Sequence, residues 1–393
     1  MSQSDQPAAA KPGAPILIPA GRTFTPDAIT FFTDKGTRTL EQAIAEADLL
    51  VSCPHSGDAV PEELAEFLAP EFTQRLQFDY SDRTTGPVVR AWAQMDPRII
   101  YVENPHPRLL RDPNRPRPAN LGAQLREAFT RVRDAGAWNK VDLTGVDTIR
   151  PVTFSFFPLL RVPDSDAELE AMVKAFESVA ERGLGVYEST RNSIRNAMVA
   201  AASERVKNGG RAQVTTLSFH DTMNHTTTRD GAVNVLRAPA DQLPDVVALS
   251  NRGDAQGNRR GEDVITMEPD ALRALADCHR TGFDVAFDAD VALNTPYLGS
   301  QEIIASGERF RNLTDSTFTL ASGSGTVQLG AVQAEFLREY LLGPTATAAL
   351  QLPGTGWPEE DTEWTATLGR HCMASWNEFR AWFASQEPEA EPA

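Results

Sequence analysis

Five polar residues, far apart in the chain, have types that could meet at one metal ion. His55, Asp58, Arg115, His220 and Glu335 stand in the segments VSCPHSGD (51–58), PRLLRDPNRPR (107–117), TTLSFHDTMNH (215–225) and VQAEFLREY (332–340). In HSGD a histidine and a carboxylate lie three residues apart, so one turn could direct both at a divalent cation, with His220 adding a third ligand from a remote strand. Two imidazoles and a carboxylate suit Zn²⁺ and leave a position for water, whose pKa zinc brings to about 7. An open hydrolytic site is the chemistry that this pattern allows. Taken alone, a histidine before a glycine turn such as His55 is more often a structural or capping residue, and only its company favours a ligand. His225, five residues past His220, shares no helix face with it and reads as a solvated loop residue; His106, His279 and His371 read as ordinary.

Arg108, Arg111 and Arg115 crowd one loop whose backbone is restricted by Pro105, Pro107, Pro113 and Pro116. A guanidinium fork pairs bidentately with a carboxylate, and a second one can steady a developing oxyanion, so this loop could hold an anion. The alternative is a surface loop paired to the many Asp and Glu. Glu335 lies in the apolar run AVQAEFL, where a carboxylate needs a partner: it could be a general base, or half of a buried ion pair with Arg338. Cys53, two residues before His55, reads as a small buried strand-end residue rather than a nucleophile. SGSGT (322–326) lacks the lysine and following helix of a phosphate loop and reads as a hairpin turn.

The elements that must carry these residues alternate. Helical spacing over Thr39–Ala47 is followed by an apolar strand Leu49–Cys53; helices are predicted over Pro61–Phe72 and Pro87–Met95, then a strand over Arg98–Val102. Two long helices, Ala167–Arg182 after the caps Asp164 or Ser165, and Ser189–Lys207 ending at Asn208–Gly210, precede a strand Val214–Phe219 that runs into His220. Further strands are expected at Val246–Leu249, Asp284–Phe287, Val291–Leu293, Thr317–Leu320 and Val327–Phe336, with a helix at Asp270–Arg280. Such alternation predicts a largely parallel α/β sheet, and His55, the arginine loop and His220 each follow an apolar run, where open sheets collect ligands. Residues 1–15 and the end QEPEAEPA read as loose tails, 16–345 as one α/β domain with a helical insertion over about 121–206, and 346–393 as an extension anchored by Trp364, Trp376, Phe379 and Trp382.

Composition narrows the partners. With 54 acidic against 37 basic residues the formal net charge is −17, which repels nucleic acid phosphates and anionic membranes and favours a small ligand. No stretch approaches the roughly 18 apolar residues of a membrane span, and the start lacks a secretory signal. Three cysteines without C-x-x-C spacing fit a reducing cytoplasm. Nothing in the chain fixes the oligomeric state.

Over roughly Leu49–Leu342 the chain resembles the N-formylglutamate amidohydrolase family, itself similar in fold and site to the zinc carboxypeptidases. The resemblance rests on SCPHSG, on Arg108 seven residues before the arginine of Asp112–Arg115, on FHDTM, on Asn294–Gly299, and on Gln333, Glu335 and Arg338. It implies a phosphorylase/hydrolase-like zinc exopeptidase fold, a mixed and mostly parallel sheet with helices on both faces. It also implies one Zn²⁺ per chain, or another divalent metal, held by His55, His220 and either Asp58, as in H-x-x-E, or Asp82 of SDRTTG. Glu335 would be the general base and Arg108 the oxyanion stabiliser. Asn114 and Arg115, with Arg111, Asn294 and Tyr297, would bind a small anionic N-acyl amino acid, N-formyl-L-glutamate above all. Phe219 stands where the family carries an acid, and an extra residue separates His220 from Met223. Another N-acyl amino acid amidase, a carboxypeptidase-like hydrolase, or a metal-free binding protein on the same scaffold are the alternatives.

Overall fold

A computed structural model describes residues 13–314 and 317–386; of the two expected tails, 1–12 and 387–393 lie outside the described residues. The first half holds β1 (Leu17–Ile18), β2 (Thr30–Phe31), α1 (Leu40–Glu46), β3 (Leu49–Cys53), β4 (Val60–Pro61), α2 (Gln74–Asp79), α3 (Thr85–Met95), β5 (Ile99–Glu103), α4 (Leu121–Ala135), α5 (Asp166–Ala180) and α6 (Leu184–Val206). The second holds β6 (Arg211–Thr222), β7 (His225–Thr227), β8 (Val233–Leu236), β9 (Val247–Ser250), α7 (Pro269–Gly282), β10 (Val291–Leu293), α8 (Gln301–Thr314), β11 (Thr319–Ser322), β12 (Gly325–Leu337), α9 (Arg338–Leu350) and α10 (Thr362–Ser385).

Eight strands form one mixed sheet in the order β10-β9-β12-β6-β3-β5-β2, with β11 paired to β12. Its four central strands, β12, β6, β3 and β5, run parallel, whereas β9 lies antiparallel to β12 and β2 antiparallel to β5. All five residues of β3 are buried, as expected of a strand covered on both sides. Strand period two sends Leu49, Val51 and Cys53 to one face, where Val88, Val89 and Trp92 of α3, Leu272 and Leu275 of α7 and Trp376 and Phe379 of α10 pack on them as one cluster. Leu50 faces the other side, against Ala43 of α1, Met198 and Ala202 of α6 and Ile303 and Phe310 of α8. A third cluster joins α4 and α5 to the 59–80 region.

Local signals account for several helix starts and for one hairpin. Thr39 and Gln42 form a capping box on α1, and Asn120, Ser165 and Asp361 cap α4, α5 and α10 through side-chain oxygens. SGSGT makes the β11–β12 hairpin turn, with Ser322 opposite Gly325. Two expectations fail. The segment Pro61–Phe72 forms only a short 3₁₀ helix at Glu62–Phe67: Leu68 turns extended to bridge Leu160, and Pro70 biases Ala69 away from helical backbone. Asp284–Phe287 is no strand: Asp284 takes φ 48°, and the amide of Val285 donates to the Arg280 carbonyl (3.1 Å) to close α7. No helix among the described residues is long and apolar enough to cross a membrane.

Candidate active site

The carboxyl ends of the central strands deliver the polar residues to one face. Along β6 the odd positions Leu217 and Phe219 pack into the α3/α7/α10 side, Phe219 stacking on Phe336 of β12 with ring centroids 4.6 Å apart. Ser218 and His220 therefore point to the α6/α8 side. Parallel register sets Ser52 of β3 beside Ser218, Ser218 beside Gln333, and His220 beside Glu335. Because register partners share a face, His220 and Glu335 are adjacent on the floor of the same cleft. His55 enters from the loop beyond β3, and Asp82 from the turn between α2 and α3. That turn is tied down twice: the Asp82 amide donates to the His55 carbonyl (2.9 Å), and Arg338 Nη2 donates to the Ser81 carbonyl (2.7 Å).

His55, Asp82 and His220 are all buried, and each offers one ligand atom within 4.8 Å of the others. Asp82 Oδ2 lies 3.2 Å from His55 Nδ1 and 2.9 Å from His220 Nδ1, while the imidazole centroids are 4.8 Å apart. The far side of each ring fixes its tautomer. His55 Nε2 is 2.8 Å from Asp112 Oδ1, a pure acceptor, so Nε2 carries the proton and Nδ1 is left bare. His220 Nε2 lies 2.9 Å from the Ser218 hydroxyl, which donates onward to Glu302 Oε2 (3.0 Å) and hence accepts from His220. Glu302 is in turn held by Ser52 (2.8 Å), Tyr187 (2.6 Å) and Arg191. Two bare imidazole nitrogens and a carboxylate oxygen facing one another repel unless a cation or protons lie between them. The donor set therefore fits a divalent metal of the zinc type.

The electrostatics agree. Burial works against ionising Asp82, yet His55 and His220 hold its carboxyl well below the usual range. Burial and Arg108 oppose protonation of His55, but Asp112 and Asp82 outweigh them and raise it. Burial likewise opposes charge on Asp112, and Arg108 and His55 overcome it. On the next residue of β6, burial, helped by Asp82, pushes Asp221 up to about 7 despite its pairing with Arg338.

These residues line a cavity of about 320 Å³, at the small end of the usual range for small-molecule sites and suited to a ligand of amino-acid size. Arg108, Arg115, Arg237, Arg338, Asn114, Tyr297 and Glu335 share its walls. Arg108 pairs with Asp112 and lies over the rings of Tyr80 (5.1 Å) and Phe154 (5.0 Å). Asn114 lies against His220 Nε2 through its side-chain amide (3.0 Å), whose oxygen must face the ring N–H, and Arg115 Nε donates to Asp147 (2.6 Å). Glu335 accepts from Thr222 Oγ1 (2.6 Å) and Gln333 Nε2 (3.0 Å).

Three expected site residues lie elsewhere. Asp58 carries its carboxylate to Arg83 rather than to the histidines, because the turn after His55 swings it toward α3; Asp82 stands in the cluster instead. Arg111 is buried against Glu188 of α6 (2.7 Å) and does not line the cavity. Asn294 is buried too, donating to Asn251 Oδ1 (3.0 Å) and the Asp254 carbonyl (2.7 Å), which braces a loop. The Glu335–Arg338 pair weighed from sequence does not form either, since Arg338 turns to Asp221 and to the carbonyls of Phe78 and Asp79 (both 3.3 Å).

Sequence reasoning passed over Asp112, Ser218, Glu302 and Arg237. Asp112 stood in plain view within the arginine motif, and strand alternation from His220 points to Ser218. Neither Glu302 nor Arg237 carries a local signal. With Phe219 facing the opposite side of the sheet, the support of His220 comes from Ser218 and Glu302, so no acid is needed at position 219.

No curated protein and no solved structure matches this chain. A family model does: it covers residues 47–340 of the 393, a span that includes both histidines, Asp82, the arginine loop and Glu335. This chain belongs to the N-formylglutamate amidohydrolase family.

Proposed function

We propose that this chain hydrolyses the linear amide of an N-acyl amino acid, with N-formyl-L-glutamate giving formate and L-glutamate as the leading case, on a phosphorylase/hydrolase-like fold of the zinc exopeptidase kind. The observation that carries this reading is the convergence of His55 Nδ1, Asp82 Oδ2 and His220 Nδ1 beside Glu335 in one cleft of the family-matched span. Those three atoms would hold one zinc ion. When bound, zinc supplies Lewis acidity toward an amide carbonyl and lowers the pKa of a water to about 7.

The side chains then divide the work. Glu335 takes a proton from the attacking water as its oxygen bonds to the formyl carbon, and returns that proton to the amine nitrogen as the C–N bond breaks. Thr222 and Gln333 hold the Glu335 carboxylate from two sides, so its orientation is set before substrate arrives. Arg108, kept charged by Asp112 against the cost of burial, stabilises the oxyanion that forms in between. Asn114 and Arg115 receive the α-carboxylate. Asp112 also fixes the ring of His55, which couples the metal site to the oxyanion site through one carboxylate.

The test is formate release from N-formyl-L-glutamate by protein carrying a measured metal content. Turnover that follows zinc content, reaching its maximum near one ion per chain, supports the reading. A zinc-loaded protein that releases no formate from any N-formyl amino acid overturns it.

A further inference from the structure

A second void, of about 10 Å³, lies on the α6/α8 side of the sheet between Arg191 and Arg195 of α6, Glu302 and Ser306 of α8, and Thr216 of β6. It has room for about one water-sized sphere. A spacing of four puts the two arginines on one face of α6, and Glu302 with Ser306 on one face of α8. Thr216 is the register partner of Leu50, which faces the same side. Ser218, which accepts from His220 and donates to Glu302, is also on the wall.

The groups around this void are donors short of acceptors. Glu302 is fully engaged: Oε1 accepts from Tyr187 (2.6 Å) and Arg191, and Oε2 from Ser52 (2.8 Å) and Ser218 (3.0 Å). Arg195, only 7% exposed, has no carboxylate within 4.0 Å among the described residues, and its one side-chain bond runs from Nη1 to the Ser306 hydroxyl at 3.3 Å. The Nε groups of Arg191 and Arg195 and the hydroxyl of Thr216, itself 8% exposed, are buried without a partner. Charge points the same way. Two guanidiniums share one carboxylate, and the other acid near Arg191, Glu188, is held by Arg111 (2.7 Å). Burial, Arg191 and Arg309 lower the pKa of Arg195 to about 10 against the pull of Glu302, so the group is still charged at neutral pH. A buried surplus charge is costly unless a counter-ion meets it. Water would accept two of the free N–H and O–H groups but would bring two hydrogens of its own and no charge.

We infer that this void is a binding site for one small monovalent anion of the chloride class, held by Arg191, Arg195, Thr216 and Ser306. It is too small for sulfate or phosphate, and it is separate from the cleft that His55 and Glu335 line. The anion would balance the guanidinium surplus directly behind the Ser218–Glu302 support of His220, stabilising the fold at the base of the metal-capable cluster. Such binding is independent of the proposed hydrolysis.

The test follows the thermal midpoint of the full chain as sodium chloride or bromide replaces sodium gluconate at constant ionic strength, with sodium sulfate at the same ionic strength as the control. Both halides should raise the midpoint along a saturating curve, and sulfate should not. Thr216→Val, which removes one hydroxyl at nearly constant shape, should weaken the apparent halide affinity about fivefold, and Arg195→Gln about tenfold or more. Each variant is compared with its own midpoint in gluconate, so a general loss of stability does not imitate loss of the site. Should Arg195→Gln fail to fold, Thr216→Val and a crystal of wild type grown in bromide, with anomalous density expected between Arg191 and Arg195, still decide. A midpoint set by ionic strength alone, an equal response to sulfate, a halide affinity that the substitutions leave unmoved, or a void without bromide overturns the inference.

Discussion

Replacing Glu335 by glutamine isolates the proton-transfer role proposed for it. The two side chains are isosteric, and the hydrogen bonds around position 335 can be kept: Gln333 Nε2 can still donate to the new amide oxygen, and the Thr222 hydroxyl can rotate to accept from the new amide nitrogen. The stability change should thus stay within about 1 kcal/mol, the worth of a single rearranged hydrogen bond. Metal binding should survive as well, because Glu335 is not one of the three atoms that converge between His55 and His220. What disappears is a base able to accept the water's proton and hand it to the amine, a loss of about 10²–10⁴ in kcat, or roughly 3–5 kcal/mol of barrier. The assay is formate release under saturating substrate, with zinc content by elemental analysis and a thermal midpoint on the same preparation. Activity within tenfold of wild type would remove Glu335 from the mechanism. A large loss accompanied by loss of zinc or a collapsed midpoint would refute the reasoning in another way, by showing that the residue supports the site rather than the reaction.

The remaining predictions concern the metal, the pH response and the extension. Asp82→Asn should weaken zinc binding by at least about 100-fold, since outer partners of ligands already cost about 10–100-fold, while Asp58→Asn should change it by no more than about threefold; a competing chromophoric chelator reads both, and the reverse order would move the third ligand to Asp58. In metal-free protein the depressed carboxyls of Asp82 and Asp112 contribute stability that is present above about pH 3.9 and lost as pH falls through their folded values. The raised His55 contributes below about pH 6.5 and loses its contribution as pH rises through its folded value, and Asp221, raised to about 7, costs stability as pH climbs from about 4 to 7. The metal-free midpoint should accordingly be higher at pH 6 than at pH 8, with Asp221→Asn flattening that drop, whereas zinc should stabilise more at pH 8 because its ligands must lose protons. A metal-free midpoint that climbs from pH 6 to 8 would contradict this. Trp376→Ala should cost about 3–5 kcal/mol by denaturant titration, as the ring is 1% exposed and lies against Trp92 (6.2 Å) and Phe379 (5.5 Å); a loss under 1 kcal/mol would mean that α10 is not part of the core.

What the sequence made legible is what local pattern controls. The strand at Leu49–Cys53 and the α3 and α5 helices follow from apolar spacing and caps, and the hairpin turn at 322–325 follows from glycine and serine. His55, His220 and Glu335 were legible as a group because strand ends in a parallel sheet gather side chains, whatever their separation along the chain. The third metal-capable residue was not. Spacing favours Asp58, three residues from His55, yet which carboxylate faces the imidazoles depends on how the turn after α2 docks. That docking is decided by Arg338, more than 250 residues away, which fastens the carbonyls of Phe78, Asp79 and Ser81. The same arginine neutralises Asp221 beside His220 and reaches to within 3.7 Å of Asp82 Oδ1. A residue that read from sequence as a partner for Glu335 instead orients the turn that supplies Asp82. Among the described residues it leaves Glu335 with neutral hydrogen-bond partners, Thr222 and Gln333, on the floor of the cleft beside His220.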